Sequence, residues 1–491
     1  MNKKKALVIG SGFAGMSAAI NLAHKGFDVT VLEKNNTIGG RARQFSDSGF
    51  TFDMGPSWYW MPDVFESFFN KFGKSVSDYY ELIRLDPSYK VVYENSDEMD
   101  IPADMKALED LFESIEPGTR VQLRAFLKQA AYKYEVGINK LVYKPGRSLT
   151  EFTSLKLLVD VVRMDVFQSM SKHVRKFFKH PRLIQLMEFP VLFLGALPEN
   201  TPALYSLMNY ADMSLGTWYP KGGMHKIVEA MGQLADEKGV RFLTDHTVTK
   251  INHKNGEAHS VTTNHGEIQA DVVIAGADYH HVETKLLDID TRNYTDDYWE
   301  KRVMAPSSLL YYLGVNKKLD GLLHHNLFFD TDFTPHAHDI YTDPKWPKKP
   351  LFYASVTSKT DDTVAPEGHE NLFLLIPVAP GLEENDEIRE KYLDMILTRM
   401  EEHTGQSIKP HIVYKRSFAH RDFISEYNSF KGNAYGLANT LTQTAILKPS
   451  LKSKKIKNLY YTGQLTVPGP GVPPSLISGI VVADEVEKDL L

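Results

Sequence analysis

Ala6-Leu7-Val8-Ile9 runs straight into Gly10-Ser11-Gly12-Phe13-Ala14-Gly15, and this stretch decides the fold. Four consecutive apolar residues mark a short parallel strand buried on both faces. Past the glycines, Met16, Ala19, Ile20 and Leu22 recur at helical spacing, and after Gly26 a second strand, Asp28–Leu32, ends at Glu33. Strand, glycine turn, helix, strand and acid within about thirty residues is the setting in which GxGxxG cradles a dinucleotide. Gly10 permits the tight turn, Gly12 lets the backbone approach a pyrophosphate, and Gly15 lets helix and strand pack closely. The helix N-terminus offers unpaired N–H groups to phosphate. Glu33 accepts hydrogen bonds from ribose hydroxyls and repels a 2′-phosphate, which disfavours NADP. NAD and FAD share this device, so the motif alone leaves both open.

Working outward, the chain continues Glu33-Lys34-Asn35-Asn36-Thr37-Ile38-Gly39-Gly40-Arg41-Ala42-Arg43. A second glycine pair with an arginine suits a chain that passes again beside a long cofactor and adds a phosphate contact. The lesser alternative for Arg41 or Arg43 alone is a surface salt bridge. Here the sequence resembles the flavin amine-oxidase and carotenoid-desaturase superfamily, which carries this Gly-Gly-Arg after its dinucleotide fold, and the resemblance implies FAD. Phe50-Thr51-Phe52-Asp53-Met54-Gly55-Pro56-Ser57 resembles that superfamily's segment along the flavin, and Trp218-Tyr219-Pro220-Lys221-Gly222-Gly223-Met224 its Tyr-Pro-x-Gly-Gly step. Near the C-terminus, Asn458 through Gly463, Thr466, Pro468, Gly469 and Gly471 to Gly479 resembles the bacterial-type phytoene dehydrogenase signature. Gln464, Leu465, Val467, Pro470 and Pro473 depart from it. Carried onto this chain, the resemblance implies that FAD is bound by Gly10, Gly12, Phe13, Ala14, Gly15, Glu33, Lys34, Gly40, Arg41, Gly55, Pro56, Val248, Gly463, Gly471, Val472 and Pro473.

The remaining pattern fits an α/β chain with a discontinuous Rossmann-like FAD-binding domain, a mixed α+β substrate domain and a helical, membrane-facing cap. Short strands are expected at Val240–Leu243, Thr247–Ile251, His259–Thr263 and Val272–Ile274, with turns at Asn255-Gly256 and His265-Gly266. Asn458–Gln464 reads as a further buried strand, and a helix is expected from Leu476 to about Asp489. Residues 1–56, 236–284 and 455–491 then build the FAD domain, 57–235 a helical cap and 285–454 the mixed domain. The mixed domain is expected to hold strands Leu309–Val315, Leu351–Val356 and Asn371–Pro377 and a helix near Asn385–His403.

Composition narrows the function. The 491 residues are 42% hydrophobic and 24% charged, ample for two or three domains with real cores. A net charge of −6 argues against nucleic-acid binding through bulk positive charge. Without cysteine there is no disulfide, thiolate metal site or thiol nucleophile. The apolar stretch after Lys3-Lys4-Lys5 is four residues long, shorter than a signal peptide needs, so a cytoplasmic protein is expected. Eighteen histidines include His280-His281, His324-His325 and His336/His338, but no HExxH occurs and neighbours on one strand point to opposite faces; no metal site is expected. No GxSxG elbow supports serine hydrolase chemistry.

The resemblance implies a desaturase taking 15-cis-phytoene to all-trans-lycopene by successive hydride transfers to FAD, with oxygen or a quinone as final acceptor. A 1-hydroxycarotenoid 3,4-desaturase or carotenoid isomerase-like enzyme is the alternative, and an amine oxidase the more distant one. Trp58-Tyr59-Trp60, Phe65, Phe68-Phe69 and Phe189–Ala196 are candidates for an apolar channel on the strength of the resemblance, although ordinary core is the favoured reading for any one of them alone. Apolar residues spaced along Leu155–Phe178 and flanked by Lys156, Arg163, Lys172, Arg175, Lys176 and Lys179 suit a basic amphipathic helix at the inner membrane surface, or a cap helix packing inward. No catalytic base is assigned; Asp53 reads first as a capping carboxylate and second as a base.

Overall fold

The computed structural model describes residues 3–148, 164–166, 168–194, 197–440 and 442–491. The glycine motif folds as expected: strand Lys5–Ile9, helix Phe13–His24 and strand Asp28–Leu32 follow one another. Lys5–Ile9 is central in a five-stranded parallel sheet, flanked by Asp28–Leu32 and Val272–Ala275, with Arg241–Leu243 and Leu459–Tyr461 at the edges. Three chain segments far apart in sequence thus share one sheet. Helix Phe13–His24 is buried through most of its length because helix Val472–Leu490 lies against it. Gly479 makes the contact possible: a Cβ there would overlap the backbone at Ala14.

The C-terminal helix begins at Val472, earlier than the expected Leu476. Pro473 and Pro474 read as loop in the sequence, yet a first helical turn tolerates proline because its N–H groups lack partners anyway. A three-stranded antiparallel sheet, Val248–Lys254, Glu257–Thr263 and Gly266–Gln269, leans on the parallel one. Its last strand escaped the sequence reading because Gly266, Glu267 and Gln269 are exposed and no apolar run marks it.

The second unit is a seven-stranded sheet in the order Ile412–Phe418, Ser307–Val315, Glu370–Val378, Phe352–Ser355, His325–Phe328, Tyr89–Val92 and Glu98–Ile101. The last two strands come from 57–235, the stretch read as mainly helical. That stretch holds helices Pro62–Asn70, Met105–Ile115, Thr119–Val136 and Pro181–Glu188, together with strands Leu82–Arg84 and Trp218–Pro220, which pair with each other. Along Ser307–Val315 the side chains alternate. Leu309, Tyr311 and Leu313 join the layer under helix Asp386–Thr404, whereas Leu310 and Tyr312 face the aromatic core shared with the first unit.

The basic stretch Leu155–Phe178 lies largely outside the described residues. Within them, Met170–Val174 is a short helix that buries Met170, His173 and Val174, while Lys172, Arg175, Lys176 and Lys179 are exposed. Among the described residues no helix is long and apolar enough to cross a membrane.

Candidate functional site

A cavity of about 430 Å³ opens above the C-terminal ends of the parallel strands and reaches under the seven-stranded sheet. Fifteen of the sixteen residues expected to bind FAD line it; the exception is Gly15. Gly15 instead explains how the turn closes, since a Cβ there would overlap the carbonyl oxygen of Gly10. Gly10 has φ +93°, and its N–H donates to Leu32 O at 2.8 Å. Above Gly12 there is clear space: nothing lies within 4 Å of where its Cβ would be. Gly12 caps helix Phe13–His24 with no side chain of its own, so the helix start faces the cavity bare.

The second glycine pair does pass beside the first. A Cβ on Gly40 would sit 3.0 Å from Gly12 Cα, and Gly39 N–H donates to Ser11 O at 3.1 Å. Gly55 closes the other side, its Cβ position 2.5 Å from Arg41 O. Glu33 is held fast at the end of its strand. Its Oε2 accepts from Ser11 N at 3.0 Å and Ser11 Oγ at 2.7 Å, and Oε1 accepts from Asn35 N at 2.9 Å. Oε1 also accepts from Asn35 Nδ2 at 3.1 Å, so each oxygen already takes two donors and a ribose hydroxyl would displace the Ser11 or Asn35 side chain.

Arg41 carries the charge. Its guanidinium lies over the Tyr427 ring at 5.2 Å and donates to Ser429 Oγ, while its buried Nε reaches no partner among the described residues. Burial holds its pKa below the usual arginine value, with Asp278 partly opposing. Arg43 packs on the other contact of Tyr427 and pairs with Glu426 at 2.7 Å, so it makes the salt bridge and Arg41 faces the cavity. A buried guanidinium with a spare donor beside a bare helix start fits a pyrophosphate. At the third approach, Gly463, Gly471, Val472 and Pro473 bring the C-terminal helix start to the same cavity. Pro473 and Pro474 have no N–H, so Gly471 and Val472 carry the backbone donors there.

Away from this charged end the lining turns apolar: Trp58, Trp60, Met61, Met208, Leu310, Leu375 and Ala434, with Tyr353, Tyr435 and Ser308 as its polar members. No charged side chain stands among them. Of the candidate channel aromatics, Trp58 and Trp60 line the cavity, whereas Tyr59, Phe65, Phe68 and Phe69 are fully enclosed core. Phe189 and Val191 are likewise core, and the side chains of 192–196 lie outside the described set. Tyr353, Tyr435, Tyr427 and Ser429 were not singled out by the sequence. Tyr353 had a visible strand around it but no sign of which way it faced.

Asp53 does not line the cavity. It accepts from Met224 N at 2.6 Å, His225 N at 3.0 Å and Gln44 Nε2 at 3.2 Å, tying the start of helix His225–Glu237 to the hairpin Gln44–Asp53. Burial pushes its pKa up to about 6 against these donors. The capping reading accounts for every contact. The histidine pair needs a correction: His324 and His325 do not diverge, because His324 precedes the strand and its ring meets His325 edge-on at 4.4 Å. Their Nδ1 atoms are engaged by Thr360 Oγ1 and Tyr353 Oη. Among the described residues, no group of three or more His, Asp or Glu is arranged to hold a metal.

The family described as flavin containing amine oxidoreductase matches residues 13–487. The chain belongs to this family. Within it, the chain is 44% identical to a carotenoid 3,4-desaturase of Haloarcula japonica over 485 residues, covering 98% of each protein. It is 34% identical to a zeta-carotene-forming phytoene desaturase of Myxococcus xanthus, covering 98% of this chain and 94% of that one. Among solved structures, an oxidoreductase from Methanosarcina mazei superposes with a TM-score of 0.64 at 17% identity, over 98% of this chain and all of that one. A putrescine oxidase superposes with a TM-score of 0.62 at 12% identity, over 99% and 98%. This flavin oxidoreductase is a carotenoid desaturase whose cofactor is FAD.

Proposed function

We propose that this desaturase acts on an acyclic C40 hydrocarbon, taking 15-cis-phytoene to all-trans-lycopene by successive desaturations. The observation that carries the reading is the uncharged far half of the cavity: Trp58, Met61, Met208, Leu310 and Leu375 offer a hydrocarbon only apolar contact. The Myxococcus relative, named for phytoene desaturation, supports it. In the same reading, the five-stranded unit holds FAD through Gly12, Glu33, Gly40, Arg41, Gly55, Gly463, Gly471 and their neighbours, and the seven-stranded unit with the helices of 57–235 holds the polyene.

FAD supplies a two-electron acceptor for the hydride lost from an allylic carbon. The protein's part is to bind and keep the reaction dry. Arg41 and the start of helix Phe13–His24 fix the pyrophosphate; Glu33 fixes the ribose; the aromatic end excludes water and orients the chain. Such a substrate resides in a bilayer, so the protein is expected to work at the inner membrane surface from the cytoplasm, passing electrons to oxygen or a quinone. Flotation with anionic liposomes tests the contact: protein rising with the vesicles supports it, and protein left wholly at the bottom refutes it.

The Haloarcula relative favours a second reading, 3,4-desaturation of a later, already conjugated carotenoid. Incubation with 15-cis-phytoene and, separately, with lycopene, followed by extraction and chromatography, separates the two. Coloured products from phytoene support the first. Phytoene left intact while lycopene gains conjugation replaces it with the second.

A further inference from the structure

Trp58, His325 and Tyr353 form one stacked, hydrogen-bonded unit at the apolar end of the cavity. Strand His325–Phe328 pairs with Phe352–Ser355 so that His325 opposes Ser355 and Leu327 opposes Tyr353. His325 and Tyr353 are therefore diagonal neighbours on one face of the sheet. Their side chains meet, Nδ1 to Oη, at 2.6 Å. Trp58 lies flat on the imidazole, ring centroids 4.2 Å apart and planes within 11°. Trp58 and Tyr353 both line the cavity; His325 is fully buried behind them and, among the described residues, its Nε2 meets no partner.

The surroundings are neutral. Burial first, and then His324, hold the His325 pKa well below the ordinary histidine value. Asp361 faces His324 and accepts from Tyr219 Oη at 2.9 Å. Asp212 accepts from Tyr89 Oη at 2.7 Å, and Tyr89 packs edge-on against Trp58 at 5.3 Å. The hydroxyls of Ser57 and Ser355 face Tyr353. Among the described residues, no carboxylate or ammonium acts on the pair itself.

Desaturation places particular demands on such a site. Once an allylic hydride has gone, the proton on the adjacent carbon is strongly acidic, so even a weak base suffices. The base must be unprotonated beforehand, and it must bring no fixed charge into a pocket built for hydrocarbon. A neutral histidine behind a tyrosine meets both conditions.

We propose that Tyr353, backed by His325 beneath Trp58, takes the proton released by desaturation. The inference rests on the carotenoid-desaturase reading above. Loss of the allylic hydride stays reversible until the C–H bond on the neighbouring carbon breaks and its electron pair becomes the second bond of the new alkene, so net flavin reduction waits on the proton. The proton reaches Tyr353 Oη as the tyrosine's own proton passes to His325 Nδ1. The positive charge leaves the polyene and resides on an imidazolium, which the Trp58 face stabilises. Product release lets the proton return through Tyr353 to water. Tyr353 is the catalytic residue; His325 acts through it as a positioning and relay residue.

The test is anaerobic bleaching of the bound flavin by 15-cis-phytoene deuterated either at the carbon that loses hydride or at the carbon that loses the proton. Tyr353→Phe keeps the ring and its packing. It is expected to slow bleaching about 100-fold, in line with general-base losses, and to raise an isotope effect at the proton-losing carbon. FAD content and carotenoid binding, read by tryptophan quenching, should stay at wild-type levels. His325→Gln should show the same isotope signature with a loss of about 10-fold, and it serves if the first variant does not fold. Wild-type bleaching with no new isotope effect in either variant overturns the proposal. A wild-type protein that no carotenoid bleaches overturns the desaturase reading itself.

Discussion

The two ends of the cavity are built from different materials. The end proposed to hold the dinucleotide is backbone and charge: Gly10, Gly12, Gly40 and Gly55 bring three chain segments within contact distance, and Arg41 and Glu33 supply opposite signs around them. The far end is side chain, with Trp58, Trp60, Met208, Leu310, Tyr353 and Leu375 projecting from elements scattered between residues 58 and 375. A backbone contact accepts only one residue type at each position. An apolar wall accepts many, provided volume and shape are kept. The first end is therefore rigid in its chemistry, and on the proposed assignment the second is where substrate choice varies.

Substitutions at the two ends should fail in different ways. The largest effect is expected at Gly15→Ala, whose Cβ would overlap Gly10 O. No side chain can move aside there, so a loss of more than about 3 kcal/mol and of bound FAD should appear in urea unfolding and flavin absorbance. A fully flavinated Gly15→Ala would break the contrast. Next, Arg41→Met should weaken FAD binding about 30-fold, the equivalent of ~2 kcal/mol for a charge-assisted contact, measured by titrating apoprotein with FAD. Arg41→Lys should recover only part of it, since an ammonium lacks the fork that engages Ser429 and a phosphate together.

Asp53→Asn sharpens the boundary between fold and site. Because burial raises the Asp53 pKa from 3.8 to about 6, the native state binds more protons than the unfolded state between those values. Its contribution to stability thus falls as pH rises through that window and is flat above it. The variant should lose this slope in denaturant midpoints compared at pH 4.5 and 7. Its turnover should stay within a few-fold of wild type, whereas a loss of about 100-fold or more would restore the base reading. Smallest of all, Leu375→Phe should leave FAD content unchanged and shift the distribution of desaturation products seen by chromatography. An unchanged product pattern would mean that Leu375 does not shape the substrate end.

The same division explains what could be read from the sequence. Gly10 to Gly15 and Glu33 stand at fixed short spacings because one strand–turn–helix unit imposes them, and Gly39-Gly40-Arg41 follows within the same local stretch. The parallel strands were legible as apolar runs because both of their faces are covered. Tyr353, Tyr435 and Tyr427 were not legible, since their place in the site depends on how a distant sheet docks on the first unit. His325–Phe328 passed unread as a strand because its first residues, His325 and Asn326, are polar and find their partners only through tertiary pairing. Asp53 sits in a segment that resembles a flavin contact, yet its carboxylate turns away to hold helix His225–Glu237.

The most direct measurement is anaerobic titration of the FAD-loaded protein with 15-cis-phytoene and with lycopene in liposomes, with putrescine as the contrasting substrate, while flavin absorbance is followed. Bleaching by an acyclic carotenoid with formation of a more conjugated product, and none by the amine, is the predicted result. Bleaching by the amine, or a flavin that stays oxidised with both carotenoids, would contradict the assignment of the uncharged end to a polyene.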